Sequence, residues 1–242
     1  MICLSKNKEA EYLRQSPRVG NMRLSLISDI HANEPALAAV LADMPSVDTI
    51  VCAGDIVGYN PMPVTCLERV QSAVSTVVQG NHDRTVKSPQ KYAGNPAAHA
   101  GLEYAQARLS NQQSAWLQML PRTATVGDGE YLLVHSHPER RGEYVFPDDA
   151  ADLRPFLDEY SGIILGHTHI QYEKTVDGRR IINPGSVGQP RDGDHRAAYA
   201  ILDTEQDTVE LRRTHYDIDR VYHEIAISDL PTASGDRLYD GE

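Results

Sequence analysis

The sequence predicts an α/β fold in which two β-sheets pack together and helices cover them on the outside. Three observations indicate this class. From Met22 to Leu120, apolar runs typical of strands alternate with helical patterns. After that, short apolar runs are separated by turns such as Asp177-Gly178, which favours a partly antiparallel sheet. No repeat, low-complexity tract or linker interrupts the chain, so we expect a single domain over residues 22–227.

The first half is predicted to run βαβαβα. Asn33 is a suitable N-cap for a helix over Asn33–Asp43, and Pro35 is tolerated in its first turn. Pro121 closes a helix-rich stretch over Ala97–Leu120. The other elements expected here are strands Met22–Ser28, Thr49–Ala53 and Val74–Gln79, and a helix over Pro63–Gln71.

The second half is richer in predicted strands. They are Glu130–His135, Gly162–Leu165, Arg180–Asn183, Ala197–Leu202 and Thr208–Arg213. Helices are expected over Asp148–Glu159 and Asp219–Ile227. Residues 1–21 lack the apolar middle of a signal peptide and predict a loose leader. The polar residues 228–242 predict a loose C-terminal tail.

Charge and cysteine content narrow the function classes. The chain has 242 residues, with 23 Lys and Arg against 34 Asp and Glu, a formal net charge of −11. This charge disfavours stable nucleic acid binding and docking on anionic membranes. It still allows a small phosphate-ester substrate whose site supplies positive charge. The three cysteines, Cys3, Cys52 and Cys66, fit no disulfide framework or zinc motif, which favours a cytoplasmic protein. No apolar stretch reaches the roughly 18 residues of a membrane span, and the oligomeric state stays open.

Polar clusters directly follow five of the predicted strands, and they hold six of the ten histidines. The clusters are Asp29-Ile30-His31, Gly54-Asp55, Gly80-Asn81-His82-Asp83, His135-Ser136-His137 and Gly166-His167-Thr168-His169. Each one alone is explained by an ordinary turn or helix cap. In helix-covered sheets, however, ligands bind outside the carboxyl ends of strands. The coincidence of all five therefore predicts one site.

The residue types in these clusters indicate metal chemistry. Carboxylate, carboxamide and imidazole groups without thiolate suit divalent Mn, Fe, Zn, Ni or Co. The set is too large for one catalytic ion, which takes about three protein ligands. It suits two ions about 3.5–4 Å apart that share a bridging carboxylate. The local excess of positive charge would attract phosphate.

In this order and wording, the clusters resemble the signature blocks of the calcineurin-like metallophosphoesterase superfamily. The sequence Gly54–Tyr59 and the sequence Asn183–Gly188 are similar to its small prokaryotic branch, which includes YfcE-type phosphodiesterases and diadenosine-tetraphosphatase-like proteins. The resemblance implies a four-layer αββα sandwich of two mixed sheets flanked by helices. It also implies two divalent transition-metal ions, with manganese preferred and Fe, Zn, Ni or Co as alternatives.

The resemblance further assigns roles to individual residues. The implied ligands are Asp29, His31, Asp55 and His169 for one ion, and Asp55, Asn81, His135 and His167 for the other, with Asp55 bridging. His82 is the implied catalytic group, as a general acid or a stabiliser of charge on the leaving oxygen. Asp83 is expected to orient the His82 ring. The reaction implied is in-line attack on phosphorus by a hydroxide shared between the ions.

Other assignments are less specific. His137 competes with His135 for the ligand position, and we prefer His135 because it directly follows the apolar run Leu132–Val134. The candidate substrate-binding residues are Tyr59, Asn60 and Arg84, with Arg140, Arg141 and Arg191 as further arginines near the clusters. Asn183, Gly185 and Ser186 are expected to form a tight loop close to the metals.

The function expected is that of a dinuclear-metal-dependent phosphodiesterase acting on a small or nucleotide-type phosphate ester. A phosphomonoesterase or a dinucleoside-polyphosphate hydrolase would use the same site. A metal-free scaffold is disfavoured, because every implied ligand position and His82 are filled. No arginine-rich sequence follows Gly54-Asp55, which disfavours a phosphoprotein substrate.

Overall fold

The computed structural model describes residues 21–242, so all but the last residue of the predicted leader lies outside the described residues. The first sheet is mixed and has the strand order β10-β9-β1-β2-β3. Its strands are β1 (Arg23–Ile27), β2 (Thr49–Cys52), β3 (Thr76–Val77), β9 (Ala197–Asp203) and β10 (Thr208–Thr214). Strand β2 is parallel to β1 and β3, and β9 is antiparallel to β1 and β10.

The second sheet is also mixed, in the order β4-β5-β6-β8-β7. Its strands are β4 (Thr123–Val126), β5 (Tyr131–Val134), β6 (Gly162–Ile164), β7 (Gln171–Val176) and β8 (Arg179–Pro184). The three central strands are parallel, and β4 and β7 are antiparallel edges. The sequence did not predict these two edge strands, because they are largely polar or exposed and lack an apolar run.

Seven α-helices flank the sheets among the described residues. They are α1 (Glu34–Asp43), α2 (Pro63–Ala73), α3 (Asn81–Thr85), α4 (Pro96–Arg108), α5 (Asn111–Met119), α6 (Ile218–Ala226) and α7 (Ala233–Asp240). The predicted cap of α1 is present, since the Asn33 side chain accepts from the Ala36 N–H at 3.2 Å. The helix predicted over Asp148–Glu159 is instead a 3₁₀ segment, Pro147–Phe156. Pro155 lies inside it and is incompatible with a regular α-helical interior.

The C-terminal segment is not a loose tail as the sequence predicted. Helix α7 forms there, and Leu230 and Leu238 are buried against Val221 and Ile225 of α6. Two leucines in an otherwise polar stretch are too sparse to reveal this packing by periodicity. The C-terminus is therefore anchored to the body of the molecule.

Three apolar layers hold the sandwich together. Between the sheets, Leu24 and Leu26 of β1 pack in one buried cluster with Leu133, Ile164 and Ile182 of the second sheet. A second cluster joins the first sheet to helices α1, α2, α4 and α5. A third covers the outer face of the second sheet with the 3₁₀ segment. The predicted four-layer αββα sandwich is confirmed. Within residues 21–242, no helix is both long and apolar enough to span a bilayer.

Candidate metal centre

The loops after β1, β2 and β6 place their polar residues in strained backbone conformations. Five of these residues have φ between 47° and 71°, a left-handed region that non-glycine residues rarely occupy. They are Asp29, His31, Asp55, His167 and His169. Backbone bonds hold the first two loops together, since the Asp29 N–H donates to Gly54 O at 2.9 Å and the His31 N–H to Asp55 O at 3.0 Å. Strain of this kind persists only where surrounding contacts enforce it, and it concentrates at functional sites.

The first group of converging atoms surrounds Asp29. Its Oδ1 lies 3.2 Å from His169 Nε2 and 3.7 Å from His31 Nε2. The two Nε2 atoms are themselves 3.0 Å apart. Oδ2 is satisfied, accepting from Ser28 Oγ and from the His167 N–H. Oδ1 is buried and accepts no hydrogen bond from the described residues, which fits a carboxylate oxygen that coordinates a cation.

The second group surrounds His135. Its Nε2 lies 3.4 Å from Asp55 Oδ2 and 2.8 Å from Asn81 Oδ1. Asp55 Oδ2 is also 3.8 Å from His31 Nε2 in the first group. The other carboxylate oxygen of Asp55, Oδ1, accepts a hydrogen bond from the His82 backbone N–H at 2.8 Å, which fixes the carboxylate. Asp55 thus lies between the two groups, in the position of a bridging ligand.

Each of the four imidazoles is oriented by a backbone carbonyl. The contacts are His31 Nδ1 to Val57 O (3.1 Å), His135 Nδ1 to Ala53 O (2.8 Å), His169 Nδ1 to Gln189 O (2.6 Å) and His167 Nε2 to Gly142 O (3.0 Å). A ring N–H that donates to a carbonyl leaves a lone pair on the other ring nitrogen. Such contacts typically orient metal-binding histidines.

The protonation of these rings follows from their burial. Burial lowers the pKa of His31 and His169, and lowers that of His167 to about 4, so these rings are neutral near pH 7. Burial also lowers the pKa of His135, but the Asp55 carboxylate outweighs it and raises the value to about 9. Metal ligation requires the neutral ring. An ion at this position would therefore displace a proton from His135.

Three residue triads offer ligand atoms within 4.8 Å of one another: Asp29–His31–His169, Asp55–His135–His167 and His31–Asp55–His82. With Asn81, the first two triads bring together every ligand implied by the resemblance. The unpartnered oxygen of Asp29 and the facing ring nitrogens of His31 and His169 fit a divalent cation, and the second triad offers donors of the same kind.

The seven candidate ligands together form a cage: Asp29, His31, Asp55, Asn81, His135, His167 and His169. His82 lies at the edge of this cage. Its ring centroid is 4.8 Å from those of His31 and Tyr59, and its Nδ1 is buried without a partner in the described chain. Gly58 makes room for the ring, because a Cβ there would overlap Nδ1 and would also need φ of +102°. Burial lowers the pKa of His82 to about 4. A neutral His82 can donate an N–H bond to developing charge.

Asp83 has a different role from the one predicted. Its carboxylate accepts backbone N–H bonds from Asp55 at 2.8 Å, Ile56 at 2.9 Å and Gly80 at 3.1 Å. No hydrogen bond joins it to the His82 ring among the described residues, so the predicted role in orienting that ring is wrong. Asp83 instead holds the backbone of the loop that carries Asp55.

The structure separates the two histidines that follow β5. His137 Nδ1 accepts from the backbone N–H groups of Glu139 and Arg140, and its ring contacts Phe156 edge-on. It therefore braces the turn after β5 and belongs to none of the three triads. His135 alone of the two reaches the cage.

An open cleft of about 240 Å³ leads to the cage. Two of the predicted substrate-binding residues, Tyr59 and Arg84, line it together with Arg191. Asn60 does not line it, and its predicted role in substrate binding is wrong. It is buried, and its Nδ2 donates to His31 O at 2.9 Å, which supports the backbone of a candidate metal ligand.

The remaining arginines differ in their position. Arg140 is half-exposed and pairs with Glu143 at 2.6 Å, away from the cleft lining. Arg141 lines a small hollow beside Asn81 and His135. There it donates to Gln79 Oε1 at 2.7 Å.

The predicted tight loop near the metals braces the cage. Asn183 Nδ2 donates to Gly166 O at 2.9 Å, and Asn183 Oδ1 accepts from the Gly185 N–H. Ser186 Oγ donates to Asp29 O at 2.7 Å. These bonds connect the ligand loops that follow β1 and β6.

Sequence reasoning missed two tyrosines of the site. Tyr92 lines the cleft, and its hydroxyl accepts from Asn81 Nδ2 at 2.5 Å, which turns Asn81 Oδ1 towards the cage. Tyr144 also lines the cleft, and its ring stacks on that of His167 with the centroids 4.2 Å apart. Neither tyrosine follows a predicted strand directly, so the strand-end pattern gave no signal for them.

This fold and this cage define a class of protein. Residues 22–207 match the Calcineurin-like phosphoesterase superfamily domain, and the chain belongs to that superfamily. Members generally bind a dinuclear divalent metal centre and hydrolyse phosphoesters, and the triads described above are where this chain could hold such a centre.

Individual relatives agree with this assignment. An uncharacterized protein of Methanocaldococcus jannaschii is 34% identical over 241 residues, covering 90% of this chain and 98% of that one. The crystal structure of a metallophosphoesterase from Sphaerobacter thermophilus has a TM-score of 0.80 at 33% identity, covering 92% of this chain and 100% of the other. The crystal structure of a hypothetical protein from Pyrococcus horikoshii OT3, at 20% identity and a TM-score of 0.80, shows the shared fold over 91% of this chain and 98% of that one.

Proposed function

We propose that the protein is a phosphodiesterase that uses two divalent metal ions to hydrolyse a small or nucleotide-type phosphate ester. The observation that supports it most is the position of Asp55. Its Oδ2 lies 3.8 Å from His31 Nε2 and 3.4 Å from His135 Nε2, between the two groups of ligand atoms. A carboxylate shared at this point suits a pair of neighbouring ions. Two separate metal sites would not need a shared carboxylate.

The walls of the cleft favour a diester over a monoester. Tyr59, Tyr92 and Tyr144 provide aromatic surface around the cage, while Arg84 and Arg191 provide positive charge that either kind of ester would meet. A diester has two organic groups and one negative charge, so it gains from apolar contact on both sides of phosphorus. A monoester has one organic group and gains less from such walls.

Manganese is the ion we propose, with Fe, Zn, Ni or Co as alternatives. The donors are oxygen and imidazole nitrogen without sulfur, which all these ions accept. When bound, two such ions lower the pKa of water to supply the nucleophile, and they neutralise charge on the phosphate. The chain positions the ligands through the carbonyls that orient its imidazoles and through the Asp83 carboxylate.

His82 is the residue we propose for the leaving-group side. It lines the cleft and contacts the cage without a hydrogen-bond partner for its Nδ1. Because burial lowers its pKa to about 4, His82 is neutral in the resting enzyme. It would stabilise charge on the departing oxygen by donating an N–H bond, and would not deliver a proton from an imidazolium.

The substrate class is tested by comparing bis(p-nitrophenyl) phosphate, p-nitrophenyl phosphate and a dinucleoside polyphosphate with manganese-loaded protein. We expect kcat/KM for the diester to exceed that for the monoester by about tenfold or more, which corresponds to about 1.4 kcal/mol of transition-state binding. Preference for the monoester or for the dinucleoside polyphosphate would replace the proposal with that activity. Protein that binds no metal and turns over none of the three would be a scaffold.

Replacing His82 with Ala separates its proposed role from metal binding. We expect turnover to fall by about 100-fold, in the range found for loss of a charge-stabilising donor, with metal content near that of the native protein. Metal content is measured by mass spectrometry on the same sample. Loss of an ion in the variant would show that His82 is a ligand, as the triad with His31 and Asp55 also permits.

A further inference from the structure

A stack of aromatic rings leads from the cage to solvent. Tyr144 lines the cleft, and its ring lies at 8° to that of His167 with the centroids 4.2 Å apart. Phe146 continues the stack, at 24° to the Tyr144 ring with the centroids 5.6 Å apart. Tyr144 and Phe146 are 43% and 42% exposed. These two exposed rings form an aromatic platform that extends the cleft wall outward.

The backbone holds the aromatic platform in place. Val145, between the two aromatic residues, is buried under the outer face of the second sheet, and its carbonyl accepts from the Tyr172 hydroxyl at 2.6 Å. The Phe146 N–H donates to Asp149 Oδ2 at 3.1 Å. Because residues two apart in an extended segment point to the same side, burying Val145 presents Tyr144 and Phe146 together. Rings held in this way lose little conformational freedom when a ligand binds.

The two rings of the platform keep open faces. Parallel rings in full overlap lie about 3.5–4 Å apart, the contact distance of carbon atoms. The centroids of Tyr144 and Phe146 are 5.6 Å apart, so one ring is displaced sideways over the other. Each ring therefore leaves part of its face uncovered, in agreement with the exposure of both side chains. A further planar group can stack there, since offset stacking is a favoured arrangement of aromatic groups.

The position of the platform selects the kind of planar group that it can take. The reacting phosphate of a substrate would lie at the cage, whereas Tyr144 is one ring contact beyond His167 and Phe146 is one further. An aryl group bonded directly to the phosphate would stay against the inner wall of the cleft. A nucleobase is separated from its phosphate by a sugar, so it can extend to the outer ring. Bases stack on aromatic side chains whatever their sequence identity.

We infer that Tyr144 and Phe146 form a stacking subsite for a nucleobase of the substrate. This inference rests on the proposed phosphodiesterase function and adds the substrate class: a nucleotide diester whose base is held by its flat face. Because every base has such a face, the subsite should discriminate little between one base and another.

Equilibrium binding tests the subsite without catalysis. Thymidine 5′-monophosphate and the corresponding abasic sugar phosphate, which has hydrogen in place of the base, are titrated by calorimetry into manganese-loaded protein. We expect the nucleotide to bind the native protein about tenfold more tightly, within the range typical of one stacked base. In Phe146→Ala this ratio should fall by about threefold or more. Phe146→Tyr should restore it, and Phe146→Leu, which keeps apolar volume without a ring, should restore it only in part.

Tyr239→Ala is the matched control. Tyr239 is 44% exposed and, like Phe146, contacts a second aromatic ring, that of Tyr222 in α6. The variant should keep the native ratio. A fluorescent aminopurine nucleotide, whose emission is quenched when its base stacks, gives a second readout. Its emission should be quenched by the native protein and by the control, and much less by Phe146→Ala.

The outcomes separate the subsite from the reaction. Equal affinity of the native protein for the nucleotide and the abasic sugar phosphate would overturn the subsite. A native ratio in Phe146→Ala, or full restoration by Phe146→Leu, would overturn stacking on the platform. If the tenfold ratio holds and a dinucleotide is not hydrolysed, the subsite stands and the proposed function is wrong.

Hydrolysis of a dinucleotide and of its two abasic analogues, each lacking one base, shows which base the platform holds. We expect kcat/KM to fall by about tenfold on removal of one base and by less on removal of the other. In Phe146→Ala the first of these losses should shrink towards one. Equal kcat/KM for all three substrates of the native protein would contradict a stacked base during the reaction.

Discussion

The two sheets supply different chemistry to the same cage. Loops of the first sheet bring both carboxylates, Asp29 and Asp55, together with Asn81 and one imidazole, His31. Loops of the second sheet bring the other three imidazoles, His135, His167 and His169, and no carboxylate. The first contribution has a formal charge of −2, and the second is neutral when its rings are deprotonated.

This difference shows why a dinuclear centre at this position would need both sheets. Carboxylates offset the charge of divalent cations, whereas neutral imidazoles complete the coordination without adding charge. Neither half holds enough donors for two ions. Asp55 Oδ2, in a loop of the first sheet, lies 3.4 Å from His135 Nε2, in a loop of the second sheet. Any ion bound between these two atoms would therefore link the sheets. We therefore expect metal binding to be coupled to the packing of the sheets.

The largest effect is expected from Asp55→Asn, which removes the carboxylate that lies between the two groups of ligand atoms. Metal content should fall from about two ions per chain to well below one. Turnover should fall by far more than the ~100-fold typical of losing an outer contact to a ligand. Asparagine accepts the left-handed backbone that Asp55 adopts, so the fold should persist. Metal analysis and circular dichroism check these outcomes.

Asp128→Asn is the matched control for this substitution. Asp128 is exposed, lies in a hairpin turn and has the same φ of 56° as Asp55. It should change neither metal content nor turnover. If Asp55→Asn kept both ions, the two groups of ligand atoms would hold them independently and the bridging role would be wrong.

Chelation tests whether the ions link the sheets. Removing them should lower Tm by roughly 5–10 °C, since a ligand at 100 times its Kd contributes about 2.7 kcal/mol and 1 kcal/mol shifts Tm by about 2–4 °C at this size. Thermal unfolding with and without chelator measures the shift. In Asp55→Asn the chelator should have no effect. An unchanged Tm for the native protein would show that metal binding and sheet packing are uncoupled.

A smaller effect is expected from Tyr92→Phe, which affects one ion position. Loss of the hydroxyl frees Asn81, whose Nδ2 bonds it at 2.5 Å, so manganese should bind the position shared by Asn81 and His135 about tenfold more weakly. The other position should keep its affinity. Calorimetric titration resolves the two. Tyr239→Phe, which removes a hydroxyl bonded to the exposed Asp219, is the control. Equal weakening of both positions would contradict the assignment of Asn81 to a single ion.

The sequence predicted those parts of the fold and cage in which one strong local signal determines the structure. The buried central strands are continuous apolar runs, and the residues that end them, such as Asp29 and His135, follow at fixed places. Because parallel strands align their carboxyl ends, the convergence of these loops could be inferred without coordinates. The resemblance then separated ligands from neighbouring polar residues.

What the sequence could not reveal depends on contacts between distant segments. Asn60 follows the second cluster, where a substrate-binding residue would be expected. Its side-chain amide instead donates a hydrogen bond to the backbone carbonyl of His31. Asp83 adjoins His82 in sequence, but its carboxylate accepts hydrogen bonds from the backbone of the Asp55 loop. Helix α7 is polar except for a few residues, so only its docking against α6 shows that this segment packs on the body of the molecule.

Anomalous diffraction from crystals soaked in manganese tests the central claim most directly. We expect two anomalous peaks about 3.5–4 Å apart, one beside Asp29 and His169 and the other beside Asn81 and His135, with Asp55 between them. A single peak, or peaks that lie away from these side chains, would contradict a dinuclear centre between the loops of the two sheets.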